Sequence, residues 1–365
     1  MGKSTLLKQD ILEDITDGHG VLYIDPHGHD TDELLQYIPR KRRNDVILFD
    51  PTQYSIPFNP LAIGGETPFI ASAFTDSIKD AWGYRDIATP RIDSLLYNSV
   101  HTLIDNEQSL LGLYFLITSQ PYREKCAPNI TDPMVQRYWQ WYADLNEKDR
   151  FNISESTLNK VQILLSDKRI RHSIGHKKTQ LNLSDVFKGK IVFVRIPQGA
   201  LGLSKTSLIG SLVLSNFHLT ALSQAPTTTR VYVDEAHLFS PSVLNEMLSG
   251  IRKFGVRLKL SHQYMHQLDM KLRHSVLANC ASFVFRCSFE DMQYFPSYEY
   301  RTSPYELFEL PPYNAVVFGD GRPYAISTTA FYAEPFPKSE AHIRTRMVNQ
   351  LIRSPKTVDS LFSQF

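Results

Sequence analysis

The chain has 365 residues, with an apolar fraction of 42%, a charged fraction of 21% and a formal net charge of +1. These are the proportions of ordinary globular protein, and the length allows one large domain or two to three smaller ones. A globally basic nucleic-acid binder is excluded, although a local basic channel needs only clustered cations.

Gly2-Lys3-Ser4-Thr5 opens the chain. It matches the back half of the phosphate-binding pattern G-x-x-x-x-G-K-[ST]. There, backbone N–H groups cradle phosphates, the lysine reaches the β/γ-phosphates and the hydroxyl holds Mg2+. The first glycine of the pattern and the strand that should launch the loop are missing, so the match alone is weak. Leu6, Leu7, Ile11, Leu12 and Ile15 have helical spacing across 3–16, and Gly18 and Gly20 stop that helix. The apolar runs 21–25 and 46–50 each end in Asp-Pro and read as buried parallel strands, with a helix over 31–38 between them.

From about 67 to 180 the strand-like runs vanish. Helical spacing dominates in 68–82, 89–105, 108–118, 133–146 and 154–165. Tyr138, Trp139, Trp141 and Tyr142 read as packing residues, with a partner surface as the alternative. The α/β pattern then resumes. Strands are expected at 189–194, 230–234, 256–261 and 282–286, and helices at 204–223, 241–253 and 269–278. A hairpin-like pair at 315–318 and 324–328 precedes an amphipathic helix and a polar tail. The expected fold class is α/β: residues 1–66 and 186–330 share one mostly parallel sheet, and an all-α domain at 67–185 interrupts it. The second α/β part runs over 186–335, and a C-terminal helix and tail over 336–365.

Cys126, Cys280 and Cys287 have neither metal-ligand nor redox spacing and read as small core residues of a reducing compartment. No apolar stretch reaches the roughly 18 residues that span a bilayer, and no signal peptide is visible. The expectation is a cytoplasmic chain, with membrane association arising only through a missing N-terminal segment. His101, His172, His176 and His218 lack metal-ligand spacing and read as surface or satisfied core histidines.

An apolar strand at 231–233 ends in Asp234-Glu235, the Walker B pattern: the first acid holds Mg2+ through its water shell and the second polarises the attacking water. The alternative is a strand-to-helix turn capped by an acid. Together with GKST on another strand of the same sheet, the catalytic reading is the stronger. The strand at 256–261 leads into His262-Gln263. An amide there can donate to one group and accept from another, which suits a γ-phosphate sensor; capping the next helix is the alternative. Arg252 stands at a helix end before that strand, as either an arginine finger supplied to a neighbouring subunit or a cation on the helix dipole.

At this point the motifs GKSTLL, YIDPHG (23–28), ILFDP (47–51), PFNPL (57–61), VYVDEAH (231–237) and RKFGVRLKLSHQYMHQL (252–268) are in view. The chain resembles the HerA/FtsK-type branch of RecA-like P-loop motor ATPases, and is most similar to the VirD4/TraD/TraG conjugative coupling proteins of type IV secretion. The resemblance covers nearly the whole chain, helical insertion included. It implies a homohexameric ring that moves DNA, single-stranded or duplex, with ATP and Mg2+. Secretion-channel or relaxosome proteins are its implied partners. It makes Gly2, Lys3, Ser4 and Thr5 the phosphate loop, with Ser4 and Asp234 on the metal. Glu235 becomes the catalytic base, Gln263 the sensor and Arg252 the trans arginine. Arg286 has a weaker claim as a second interface arginine. One rival is a HerA-like DNA pump in end resection, phage defence or genome packaging; another is a non-catalytic interaction module with a degenerate, truncated P-loop.

Asp25 could order water near Mg2+, but more often such a carboxylate anchors the Asp-Pro turn. His27 lies in the same turn and carries no separate role. The basic runs 40–43 and 168–171 read as solvated faces or subunit borders ahead of DNA contacts. The absent P-loop strand gives one more expectation: a cut-down part of a longer ATPase, binding nucleotide poorly by itself.

Overall fold

Six consecutive residues, Gly20–Asp25, are completely buried because strands pair on both sides of them and side chains cover both faces. This strand, β1, is the centre of a five-stranded sheet. With β2 at Val46–Phe49, β3 at Ile191–Arg195, β4 at Thr229–Val233 and β5 at Val256–Leu260, the order is β2-β3-β1-β4-β5. β1 runs parallel to β3, with Val21 opposite Ile191, and parallel to β4, with Gly20 opposite Thr229; β4 and β5 are also parallel. The computed structural model describes residues 2–364 apart from 55, 86, 226, 296–306, 308, 320–322, 329–333 and 352–355.

The terminal hairpin departs from the single-sheet expectation. β7 at Asn314–Phe318 pairs antiparallel with β8 at Tyr324–Ser327 and with β6 at Ser282–Val284, making a separate three-stranded sheet. It has its own apolar cluster of Met265, Val284, Phe295, Leu307 and Val316, so nothing obliges it to join the parallel sheet. Residues 352–355 of the expected C-terminal helix and tail, and 329–333 before it, lie outside the described residues.

The chain divides into two compact units. The first holds both sheets and comprises 1–48, 185–195 and 224–346; the second, mainly helical, comprises 49–184, 196–223 and 347–365. Helix Leu203–Leu222 falls in the helical unit, as do residues 49–66. That helix is buried on most of its faces along most of its length, small polar residues included, and packs on helix Thr67–Ala81 with a Ser77–Ser215 hydroxyl contact between them.

Within the first unit, buried Arg42 ties the end of helix Lys3–Thr16 and the turn after it to the loop before β3, donating to the carbonyls of Ile15 (2.8 Å), His19 (3.2 Å) and Gly189 (2.6 Å). Gly255, before β5, has φ +75°, and a Cβ there would sit 2.2 Å from the Thr227 carbonyl oxygen. Glycine is the residue that fits both the left-handed turn and the close backbone. In the helical unit, Trp139 is buried and donates to Thr102 Oγ1 at 2.7 Å, and Tyr142 is buried beside it. Trp141 is instead 48% exposed. The three cysteines are unpaired, with only Cys126 fully buried. Among the described residues no helix is long and apolar enough to cross a membrane.

Candidate functional site

The C-terminal ends of β1, β4 and β5 lie side by side in the first unit's sheet, and the residues that follow them converge. The backbone is locked first. Asp234 N–H donates to Ile24 carbonyl (3.1 Å), Ser261 N–H to Val233 carbonyl (2.9 Å) and Ala236 N–H to Ser261 carbonyl (2.8 Å). Asp234 and Glu235 are thereby held at the sheet edge, 6% and 7% exposed. Glu235 takes φ +46°, ψ +51°, a left-handed conformation for a residue with a Cβ.

Helix Lys3–Thr16 begins at the same place. Gly2 has φ +129°, and a Cβ there would lie 2.5 Å from the Phe285 ring. The helix starts with no side-chain cap and no acid in its first turn. Its first N–H groups and the positive end of its dipole are therefore available to an anion. Lys3 Nζ donates to the His262 carbonyl at 2.8 Å. Burial lowers the Lys3 pKa, against the opposing pull of the Glu235 and Asp234 carboxylates. Ser4 is exposed and Thr5 half-buried on the first turn.

Glu235 is the hub. Its Oε1 accepts from Gln263 Nε2 at 2.8 Å, and His27 Nε2 is 3.8 Å from the same oxygen. His237 Nδ1 lies 3.3 Å from Oε2, which accepts no hydrogen bond among the described residues. Burial pushes the Asp234 carboxyl up to about 6; a Ser261 hydrogen bond opposes this, and the charges of Glu235, Asp25 and Asp30 add to it. Burial lowers the His237 pKa, against the opposing pull of Glu235. Two buried carboxylates, one with an unsatisfied oxygen, beside a half-buried ammonium and an uncapped helix start fit a phosphate ester with a divalent cation. The cation offsets the paired acids, while the N–H groups and Lys3 meet the phosphate.

Lys3, Asp234, Glu235 and Gln263 are thus brought together. Arg252 is not. It is exposed on the 3-10 turn Ile251–Phe254 that precedes β5, at the opposite end of that strand from Gln263. Five extended residues separate strand ends by about 17 Å, so Arg252 cannot reach the site of its own chain. Arg286 is exposed next to Phe285, the residue that covers Gly2. Asp25 anchors its turn, accepting from the N–H groups of His27 (2.9 Å), Gly28 (2.7 Å) and Thr31 (2.8 Å). In the basic runs, Arg42 is the structural tie described above, Arg169 pairs with Asp167, and Arg171 with Asp359. His237 and the placement of His27 against Glu235 are what sequence reasoning missed. The only available signal for His237 was its position two residues after the glutamate.

No family model matches the chain, and no curated protein does. Solved structures do match. The bacterial conjugative coupling protein TrwBdeltaN70, in its unbound form, has a TM-score of 0.63 at 16% identity, over 92% of this chain and 84% of that one. The chain has the fold of the conjugative coupling proteins. Plasmid coupling protein TrwB in complex with ADP and Mg2+ gives 0.64 at 14% identity, over 93% and 85%. VirB4 of Thermoanaerobacter pseudethanolicus gives 0.61 at 14%, over 91% and 87%. The coupling-protein fold here is RecA-like, with a mostly parallel sheet that carries Lys3, Asp234, Glu235 and Gln263 on one edge.

Proposed function

We propose that the chain is an ATP- and Mg2+-dependent motor of the conjugative coupling type, which moves DNA or nucleoprotein toward a type IV secretion channel as a ring of identical subunits. The observation that carries this reading is the 2.8 Å bond between Gln263 and Glu235 beside Lys3 and Asp234. Residues from three distant stretches of sequence supply, at one sheet edge, the groups that phosphoryl transfer from a nucleotide needs. The nucleotide complexes of TrwB, with ADP and Mg2+, GDPNP and ADPNP, support it.

When bound, Mg–ATP supplies an electrophilic γ-phosphoryl group whose charge the metal partly neutralises. The helix start and Lys3 hold phosphate oxygens, the ammonium exchanging its His262 carbonyl for them. The Ser4 hydroxyl and the Asp234 carboxylate would hold the metal, and Thr5 would serve the α-phosphate. Glu235 takes a proton from the attacking water, and its carboxylate is aimed by its left-handed backbone. Gln263 holds that carboxylate and is placed to report the γ-phosphate to it. Arg252 completes the site of a neighbouring subunit.

The test is ATP binding and turnover, with and without single- and double-stranded DNA. It is run on this chain and on a version carrying whatever in-frame residues precede it in its gene. DNA-stimulated hydrolysis that Lys3→Ala abolishes is the expected result. No nucleotide binding and no turnover in either version would sink the motor reading and leave a non-catalytic module.

A further inference from the structure

Residues 356–364 form a helical turn, Lys356–Asp359, continued by a 3-10 turn, Ser360–Ser363, and belong to the helical unit. Three side chains anchor this short segment, each by a different chemistry. Val358 is 1% exposed and meets Gly175, where an added Cβ would stand 2.6 Å from its Cγ1. Asp359 uses both carboxylate oxygens: Arg171 Nε lies 2.9 Å from Oδ1 and His172 Nε2 lies 2.9 Å from Oδ2. Phe362 packs its ring 5.8 Å from that of Tyr114 and 5.2 Å from that of Phe115, with the Arg171 guanidinium 5.7 Å above it.

The receiving surface is built by other parts of the helical unit. Phe115 under the Phe362 ring is a core residue, and Arg171 is fixed by donating to the Leu165 carbonyl at 2.6 Å. The segment also fails to fill it. Phe362 stays 41% exposed. A cavity of about 440 Å³ opens beside it, lined by Tyr114, Gln162, Leu165 and Arg171 together with Asp359 and Phe362. A groove with an apolar floor, an arginine and a histidine facing one carboxylate, and an aromatic slot with spare room has the composition of a peptide-binding site.

We propose that this groove is a recognition site for a short peptide of the form aliphatic-Asp-x-x-Phe, closed in this chain by its own residues 358–362. Tethering makes the closure effective. An attached ligand acts at an effective concentration in the millimolar range, so even weak intrinsic affinity keeps the groove occupied. A partner bearing the same motif enters by displacement and uses the space that Phe362 leaves empty.

The test uses a fluorescein-labelled peptide of residues 356–364 and the full chain in two forms, wild type and Asp359→Arg/Phe362→Ala, which releases the tail. The released form is expected to bind the peptide at least tenfold more tightly than wild type. Replacing Asp359 by Asn and Phe362 by Ala in the peptide should weaken that binding at least tenfold. Hydrogen exchange at 356–364 of the wild-type chain should accelerate when excess unlabelled peptide is added, a readout that needs no variant. Equal binding to both forms, indifference to the peptide substitutions, or no binding and no change in exchange would each overturn the proposal.

Discussion

Glu235 occupies a backbone region that costs an L-residue about 1–2 kcal/mol, and it does so at the point where its carboxylate meets Gln263, His27 and His237. Strain of that size persists where the surroundings over-determine the conformation, here through Ala236 N–H on the Ser261 carbonyl. Glu235→Gln should preserve nucleotide binding and reduce turnover by about 10²–10⁴-fold, the usual worth of a general base; parallel binding and single-turnover measurements separate the two effects. Asp234 gives a pH signature. Its folded carboxyl, raised to about 6 by burial, binds a proton more tightly than the unfolded carboxyl, whose value is near 3.8. The group therefore favours the folded state most at pH below about 4 and loses that contribution as pH rises through 6. Metal binding runs the opposite way, because the ligand must be deprotonated. Mg2+ affinity measured by calorimetry should fall about tenfold per pH unit below 6 and level off above it; a flat profile between pH 5 and 7 would show that Asp234 is not a ligand.

At the level of elements, the turn into β5 depends on a glycine and the join between strands and helix on an arginine. Gly255→Val places a branched Cβ at φ +75° and against the Thr227 backbone, so urea unfolding should show a loss of more than about 2 kcal/mol. Arg42→Ala strands three carbonyls that the guanidinium now satisfies, and a loss of about 3 kcal/mol is expected by the same measurement. Parallel strands were legible because burial on both faces makes them short unbroken apolar runs, as at 21–25 and 191–195. Which sheet a strand joins was not. The run at 282–284 looks like the others, and only its antiparallel partner β7 and the Met265–Val316 cluster set it apart. The same divide runs through the site. Lys3, Asp234 and Glu235 announce themselves by local pattern, whereas His27 against Glu235 results from β1 and β4 being neighbours, a relation no window of sequence contains.

For the assembled molecule, the proposed role of Arg252, which stands before β5 and away from Gln263 of its own chain, would make catalysis a property of more than one chain. Arg252→Ala and Glu235→Gln should each be inactive alone. Mixed in one oligomer, they should recover part of the activity, because a Glu235→Gln subunit can lend its arginine to an Arg252→Ala neighbour; steady-state turnover across mixing ratios reads this directly. Mixtures as inactive as either parent would place Arg252 outside the site. The sheet order also governs how the chain is made. β1 emerges from the ribosome early, yet its two neighbours are residues 191–195 and 229–233. At a synthesis rate of about 5–20 residues per second, the stretch Gly20–Asp25 waits roughly 10–40 s for its second flank. Until residues 191–195 follow, an apolar strand lies open on both edges, and from then until 229–233 it lies open on one. Production of the folded protein is therefore a race between translation and aggregation, one that slower growth temperatures and nascent-chain chaperones should tilt toward the soluble product.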